Sequence, residues 1–401
     1  MQTQLSEAVL ATAAGREAER ILRACVHCGF CNATCPTYQL LGDELDGPRG
    51  RIYLIKSLLE GGLAGAATRV HLDRCLTCRA CEGTCPSGVQ YGRLIGIGRQ
   101  WVETTAPRNW IARVPRRLLR WLLTTPRVFK AMVAAGRCAR PFLPERMRQK
   151  IPELRPARGW PAPRHARRVL VPGGCVQPTL APAIDAAAAR ILDRIGITSI
   201  AVGAGSCCGA IDQHLSAEAA ARRRIRANID AWWPWIESGA EAIVVTASGC
   251  GAMIKEYGYL LRDDAAYATR AARVSAMARD MAEILSGEDV TALKTGQRRR
   301  IAFHSPCSLQ HGLRLAGVTE ALLGNLGYEL TEVSDPHLCC GSAGTYSILQ
   351  PRLADQLRAN KLRGLVVGAP ALIATANIGC LLHLAEKSPV PVRHWLELLD
   401  V

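Results

Sequence analysis

Apolar positions along the chain change their period part-way. In the first stretch they recur at helical spacing. Arg49 to Glu60 reads as a helix with Ile52, Leu54, Ile55, Leu58 and Leu59 apolar. Gly47-Pro48 makes a turn before it and Gly61-Gly62 stops it. Met1 to Arg23 reads as a polar, Ala-rich amphipathic helix, and another helix is expected after Cys85. Further on, Trp110-Ile111-x-x-Val114 and Leu118-Leu119-x-x-Leu122-Leu123 are again apolar at helical spacing, with Arg113, Arg116, Arg117 and Arg120 between them. Pro107, Pro115, Pro126, Pro141 and Pro144 are expected to break this stretch into short helices. Pro152 to Pro163 reads as a linker.

From Val169 onward short apolar strands alternate with helices, and the pattern occurs twice. The first copy has strands at 169–171, 199–202 and 242–246, with helices near 183–195 and 217–238. The second has strands at 300–303, 328–333 and 371–375, with helices near 319–326 and 353–365. The strands lead into Cys175, Cys207-Cys208-Gly209 and Cys250 in the first copy, and into Cys307, Cys339-Cys340-Gly341 and Cys380 in the second. Cys175 and Cys207 enclose 31 residues, as do Cys307 and Cys339; the later intervals are 41 and 39. Alternating strands and helices imply a mostly parallel sheet in each copy, with functional groups at the carboxyl ends of the strands. Each copy is therefore expected to gather four thiols at one edge of its sheet.

Composition narrows this picture. The chain has 401 residues, enough for two or three domains. The expected boundaries are 1–105, a connector at 106–168, and the two copies at 169–290 and 298–401. Seventeen cysteines in a chain this long do not suggest a small disulfide scaffold. No secretory signal is evident in Met1 to Arg23 and no long apolar run occurs, so thiolates in a reducing cytoplasm are expected, with no membrane span. The net charge is +16, and residues 106–168 hold 17 Lys/Arg against Glu145 and Glu153. A basic, amphipathic, Trp-bearing segment suits an anionic membrane surface or an acidic partner, or it is a solvated linker. No motif that reads nucleic acid accompanies the charge, so nucleic acid is not expected.

The most specific chemistry lies between Cys25 and Pro86. Cys25, Cys28, Cys31 and Cys35-Pro36 follow C-x2-C-x2-C-x3-C-P, and Cys75, Cys78, Cys81 and Cys85-Pro86 repeat it. This is the ferredoxin-type signature for a pair of [4Fe–4S] clusters. In two-cluster ferredoxins the fourth cysteine ligates the other cluster. The spacing thus assigns Cys25, Cys28, Cys31 and Cys85 to cluster 1, and Cys75, Cys78, Cys81 and Cys35 to cluster 2. Zinc knuckles lack the third cysteine and the trailing C-P. The 39 residues between Cys35 and Cys75, with a helix among them, suggest an all-helical ferredoxin form. Arg49, Arg51, Arg74 and Arg79 flank the ligands, as solvated surface or as electrostatic tuning of the clusters.

In the repeat, a Cys-Cys-Gly turn aims two adjacent thiols at one pocket. With the flanking cysteines, the sets Cys175, Cys207, Cys208, Cys250 and Cys307, Cys339, Cys340, Cys380 offer sulfur donors for an additional Fe–S or metal site, or a redox dithiol. The pattern resembles the cysteine-rich CCG domain of heterodisulfide reductases. That family's full motif ends in C-x-x-C and can hold a noncubane cluster. Here Met253 and His383 stand where the last cysteine would be. His304, His311, His337 and His383 lie near the second copy's cysteines and could serve as ligands or proton carriers. Cys138 is left without a role.

Two ferredoxin motifs followed by two CCG domains resemble the iron–sulfur subunits of glycolate oxidase (glycolate dehydrogenase) over essentially the whole chain. ACVHCGFCNATCPTYQLLGDELDGPRGRIYLIK, RCLTCRACEGTCPSGV, NIDAWWPWIESGAEAI, TASGCGAMIKEYG and HLCCGSAGTYS carry the likeness. The resemblance implies a multi-domain α/β chain: a helical two-cluster ferredoxin domain, then two α/β CCG domains with mostly parallel sheets. It implies an electron-transfer subunit without catalytic residues of its own. Electrons would come from FAD-containing subunits that oxidise glycolate to glyoxylate, and pass to an acceptor, expected to be quinone. The implied location is cytoplasmic, on the inner face of the membrane. No G-x-G-x-x-G follows a strand, so flavin is expected on other chains. The same layout occurs in anaerobic glycerol-3-phosphate dehydrogenase and lactate-oxidising complexes. Disulfide reduction at the CCG domains, or a purely anchoring role for them, are the other readings.

Overall fold

The computed structural model describes residues 1–62, 65–142, 144, 157–202, 207–294 and 299–400. Glu145, Glu153, the start of the expected linker from Pro152, and residue 298 lie outside them. The chain forms two compact units, one of residues 1–115 with 335–361, the other of 116–334 with 362–401.

In the first unit the expected helices form at Pro48–Leu59 and Tyr91–Thr105. The N-terminal stretch divides into Glu7–Leu10 and Ala13–Ala24, because Thr12 caps the second helix by accepting from the Gly15 N–H. Ile21, Leu22, Ile55, Leu59, Leu72, Leu94 and Ile95 form a common core. Burying each is worth roughly 1.5–3 kcal/mol. Gly98 allows the close approach of two helices, since a Cβ there would lie 2.6 Å from Ile55 Cγ1.

The connector differs from expectation at one proline. Pro115 does not break its helix, which runs from Trp110 to Thr124. A proline in this second turn removes a single backbone hydrogen bond, and nine further residues continue the helix beyond it. Pro126 instead starts the next helix, Pro126–Ala139, at its first position, where no N–H is needed.

The second unit holds the repeat as two four-stranded parallel sheets. Their strands are β1 (Arg167–Pro172), β2 (Ile197–Val202), β3 (Ala242–Val245), β4 (Ala278–Asp280), β5 (Arg300–His304), β6 (Glu329–Leu330), β7 (Leu372–Thr375) and β8 (Val392–His394). The orders β2-β1-β3-β4 and β6-β5-β7-β8 are the same topology twice. The inner strands β3 and β7 are buried at every position, as strands covered on both faces must be. β6 is much shorter than the expected 328–333. β4 and β8 are additional, each leading directly into a helix capped by its last residue, Asp280 or His394.

The sheets meet near their thiol-bearing ends. Helix Ser248–Lys255 packs on the single π-turn Ser308–Gly312, with Ser248 Oγ 2.7 Å from Ser308 Oγ. The Ser248 N–H donates to the Ala376 carbonyl at 3.2 Å. Helix Ala183–Arg194 packs on Trp395–Leu399, joined by the Arg190–Asp400 ion pair.

Candidate metal centres

The two C-x2-C-x2-C loops have matching backbones. His27 and Gly29 in the first, and Thr77 and Arg79 in the second, all have positive φ. Left-handed residues cost about 1–2 kcal/mol each when not glycine. Strain of this kind persists where the surroundings over-determine it, typically at functional sites. Each loop runs into a short helix, Phe30–Ala33 or Ala80–Gly83.

The thiols crowd in two groups. Burial pushes the Cys31 thiol up to about 11, and neighbouring Cys25, Cys85 and Cys28 add to it. Burial likewise raises Cys25, with Cys85 and Cys28 acting in the same direction. Burial raises Cys81 well above its ordinary value, and Cys78, Cys75 and Cys35 add to that. Each trio from one motif therefore crowds against the fourth cysteine of the other motif. Cys25, Cys28, Cys31 and Cys85 line one cavity together with Pro48 and Ile52. Thiolates packed this closely repel one another unless a cationic centre neutralises them, and all-sulfur donor sets of four suit iron–sulfur clusters.

The groups differ in their surroundings. Cys28 is exposed. At the other group, Arg51 is buried, with Nη1 4.0 Å from Cys35 Sγ and 3.1 Å from Thr37 Oγ1. It also donates to the His71 carbonyl at 2.7 Å and to Asp46 Oδ1 at 3.4 Å. Arg74 and His71 close the same buried carboxylate. Burial alone would raise Cys75; Arg51, Arg99, the Thr77 N–H and the Tyr91 hydroxyl overcome it and hold the thiol below its ordinary value. Arg49, Arg74 and Arg79 are partly exposed and paired with Glu44, Asp46 and Glu82. Of the four flanking arginines, the solvated-surface reading therefore fails most clearly for Arg51. Asp46, Tyr91 and Arg99 carried no signal in the sequence.

The first copy of the repeat brings its four cysteines together. Cys207 accepts from the Cys175 and Cys208 thiols, and Cys208 is also hydrogen-bonded to Cys250. Those thiol donors, with the Gly209 N–H and Arg224, hold Cys207 well below its ordinary value, while Cys175 and Cys208 are raised. Gly209 has φ +93°, which sends its N–H back to Cys207 Sγ at 3.4 Å. Asn228 Nδ2 donates to the Cys207 carbonyl and to Tyr257 Oη, both at 2.9 Å. Arg224 is held by Asp212 at 2.6 Å. Met253, in place of a fifth sulfur donor from cysteine, is buried in the adjoining core.

The second copy is divided between the units. Cys339 and Cys340 are buried in the first, where the Gly341 N–H lies 3.5 Å from Cys339 Sγ. Tyr346 follows them and its hydroxyl donates to the Arg74 carbonyl at 3.1 Å. Cys307, His304, His311, Cys380 and His383 lie in the second unit. His304 is buried with Nδ1 2.9 Å from Thr375 Oγ1. His337 lies in the first unit and is half-buried. Cys138 is exposed on helix Pro126–Ala139.

A helical domain with two matched four-thiol groups, followed by paired parallel-sheet domains with Cys-Cys-Gly turns, defines an iron–sulfur protein of the electron-transfer kind. Comparison with known families agrees: residues 21–89 match the "4Fe-4S dicluster domain" and residues 169–255 and 301–385 each match the "Cysteine-rich domain". The chain is 55% identical over its full length to the "Glycolate oxidase iron-sulfur subunit" of Escherichia coli (strain K12), covering 98% of that protein. It is 28% identical to the "Probable glycolate oxidase iron-sulfur subunit" of Bacillus subtilis (strain 168), over 90% of this chain and 87% of that one. "Lactate utilization protein A" of Bacillus licheniformis is 26% identical over 54% of this chain. The chain belongs to the family of glycolate oxidase iron–sulfur subunits. No described helix is long and apolar enough to cross a membrane.

Proposed function

We propose that this chain is the electron-transfer subunit of a glycolate-oxidising complex, with Cys25, Cys28, Cys31 and Cys85 holding one [4Fe–4S] cluster and Cys75, Cys78, Cys81 and Cys35 the other. The observation that carries the reading is the crowding of each trio against the opposite fourth cysteine. The full-length likeness to a glycolate oxidase subunit supports the substrate. Bound clusters supply one-electron carriers between a two-electron donor and its acceptor. The protein's own groups set where those carriers sit and at what potential. The donor is a flavin on partner chains and the acceptor a membrane quinone; the basic helix Trp110–Thr124 holds the chain at an anionic lipid surface.

The four thiols at Cys175, Cys207, Cys208 and Cys250 form a further sulfur site for a metal or cluster. Cys307, Cys339, Cys340 and Cys380 are the matching positions in the sequence of the second copy.

The test is reconstitution of the complex with anaerobically isolated protein. About eight irons per chain are expected from two cubanes, and more if the repeat also binds iron. Glycolate should be turned over in preference to lactate and glycerol 3-phosphate. Fewer than eight irons, or preference for another substrate, overturns the corresponding part.

A further inference from the structure

The two four-cysteine groups sit in unequal fields. Resting on the ligand sets proposed above, we infer that Arg51, Tyr91 and Arg99 make the Cys35/Cys75/Cys78/Cys81 site the higher-potential of the two, so that electrons enter at Cys25/Cys28/Cys31/Cys85 and collect at the second site.

Net charge, hydrogen bonds to sulfur and solvent exposure set the potential of such a centre. Gaining an electron makes a thiolate-bound centre more negative, so nearby cations and donors favour the reduced form. At the second site four groups act in this direction. The Arg51 guanidinium lies 4.0 Å from Cys35 Sγ and is only 1% exposed, so water screens it little. Tyr91 Oη donates to Cys75 Sγ at 3.7 Å, and the Thr77 N–H at 3.4 Å. Arg99 braces that loop through the Cys75 carbonyl at 2.5 Å and Thr77 Oγ1 at 2.9 Å. Asp46 opposes them, but Arg51 and Arg74 both bind it, which leaves the local sum positive.

The first site is weighted less: the His27 N–H matches that of Thr77, but no buried guanidinium or tyrosine hydroxyl joins it. Its cations are Arg49, which is partly exposed and committed to Glu44 at 2.6 Å, and the N-terminal ammonium, which donates to the Cys25 carbonyl at 2.6 Å. Cys31 Sγ faces the Asn32 side-chain oxygen, an acceptor, at 4.0 Å. Cys28 is exposed between Val26 and Phe30, which are 66% and 62% exposed. An exposed site suits exchange with another chain, and a buried one suits retention.

Tyr346 donates to the Arg74 carbonyl at 3.1 Å and interacts electrostatically with both Cys75 and Cys339. In the transfer between the sites one electron moves; one site is oxidised, the other reduced, and no bond or proton changes place. The reductant is the reduced flavin of the partner chain.

The test is an EPR-monitored redox titration of the full-length, anaerobically isolated protein. Cys28→Ser and Cys78→Ser assign the two signals. In the unmodified protein the signal altered by Cys78→Ser should have the higher potential. Arg51→Met and Arg99→Gln should each lower that potential by at least a tenfold change in its reduction equilibrium, which is 59 mV for one electron, and leave the other unmoved. Tyr91→Phe should shift it the same way by less. Arg51→Lys should restore most of the loss. If Arg51→Met does not fold, Tyr91→Phe and Arg99→Gln still decide. Reversed order, equal shifts at both signals, or no shift overturns the inference. Iron well below eight per chain, or one signal altered by both serine variants, overturns the ligand sets instead.

Discussion

The Asn228 side-chain amide donates to the Cys207 carbonyl at 2.9 Å, and so ties a long helix to the Cys-Cys-Gly turn of the first repeat. Asn228 is 2% exposed, and the same nitrogen donates to Tyr257 Oη, whose hydroxyl donates to the Cys208 carbonyl at 2.8 Å. One amide therefore satisfies the turn directly and through the tyrosine.

Asn228→Ala should leave the buried Cys207 carbonyl without its donor and cost about 1–3 kcal/mol. Tyr257→Phe removes the second tie and should cost a similar amount. Urea denaturation monitored by tryptophan fluorescence measures both. Thiol labelling under native conditions should quicken at the turn in each variant. Unchanged midpoints together with unchanged labelling would show that the turn is held by its own backbone.

Asp280 and His394 occupy the same place in the two repeats, each ending the fourth strand and capping the next helix. Burial acts on them in opposite directions. It raises Asp280 to about 7 and lowers His394 to about 3. Asp280 thus stays protonated in the folded chain while the unfolded chain has released its proton. Its contribution is present below about pH 4 and is lost as pH rises towards 7. His394 stays neutral when the unfolded chain is protonated, so its contribution is present above about pH 6.5 and is lost as pH falls from there. Asp280→Asn, which keeps a capping side chain, should flatten the decline on the alkaline side. His394→Asn should flatten the acid side. Urea midpoints from pH 4 to 8 report both slopes.

Much of the cluster domain was legible because its cysteines lie close in sequence, in two copies of one short and regular spacing. The repeat was legible for a related reason: its cysteines follow strands, and the intervals between them count out the same units twice. The short strands β4 and β8 were not, because three residues with one partly or fully exposed give no period. The burial of Arg51 was equally hidden. Its neutralising contacts come from Asp46, Thr37 and the His71 carbonyl, which converge only in the fold. Tyr346 stands 272 residues from Arg74 in sequence, beyond any local pattern.

Gly209 and Gly341 are the matched glycines of the two Cys-Cys-Gly turns, and both have φ near +90°. An alanine at either position meets the left-handed penalty of about 1–2 kcal/mol. Their surroundings differ. At Gly209 a Cβ would lie 3.4 Å from Met253 Cε, a flexible tip. At Gly341 it would lie 2.7 Å from the Ala354 carbonyl oxygen and 2.9 Å from Leu357 Cβ. Overpacking against rigid backbone adds about 1–3 kcal/mol. Gly341→Ala should therefore be the more destabilising of the two, measured as the loss in urea midpoint. Equal losses would mean that the helix carrying Ala354 shifts freely.

Helix Trp110–Thr124 leaves Trp110, Ile111, Leu118 and Trp121 between 52% and 74% exposed. Arg113 and Arg117 lie on the same helix, and no acidic residue does. Apolar side chains that insert at the headgroup boundary, beside arginines that meet anionic lipid, are the elements of an interfacial helix. The protein should co-sediment with vesicles containing phosphatidylserine and much less with purely zwitterionic ones. Each basic residue near such a surface contributes about 1 kcal/mol, so Arg113→Gln with Arg117→Gln should weaken binding by about tenfold or more. Trp110→Ser with Leu118→Ser should weaken it on both vesicle types, through lost apolar insertion. Raised salt should reproduce the arginine effect and spare the apolar one. Binding indifferent to lipid charge, or none at all, would assign this face to a protein partner.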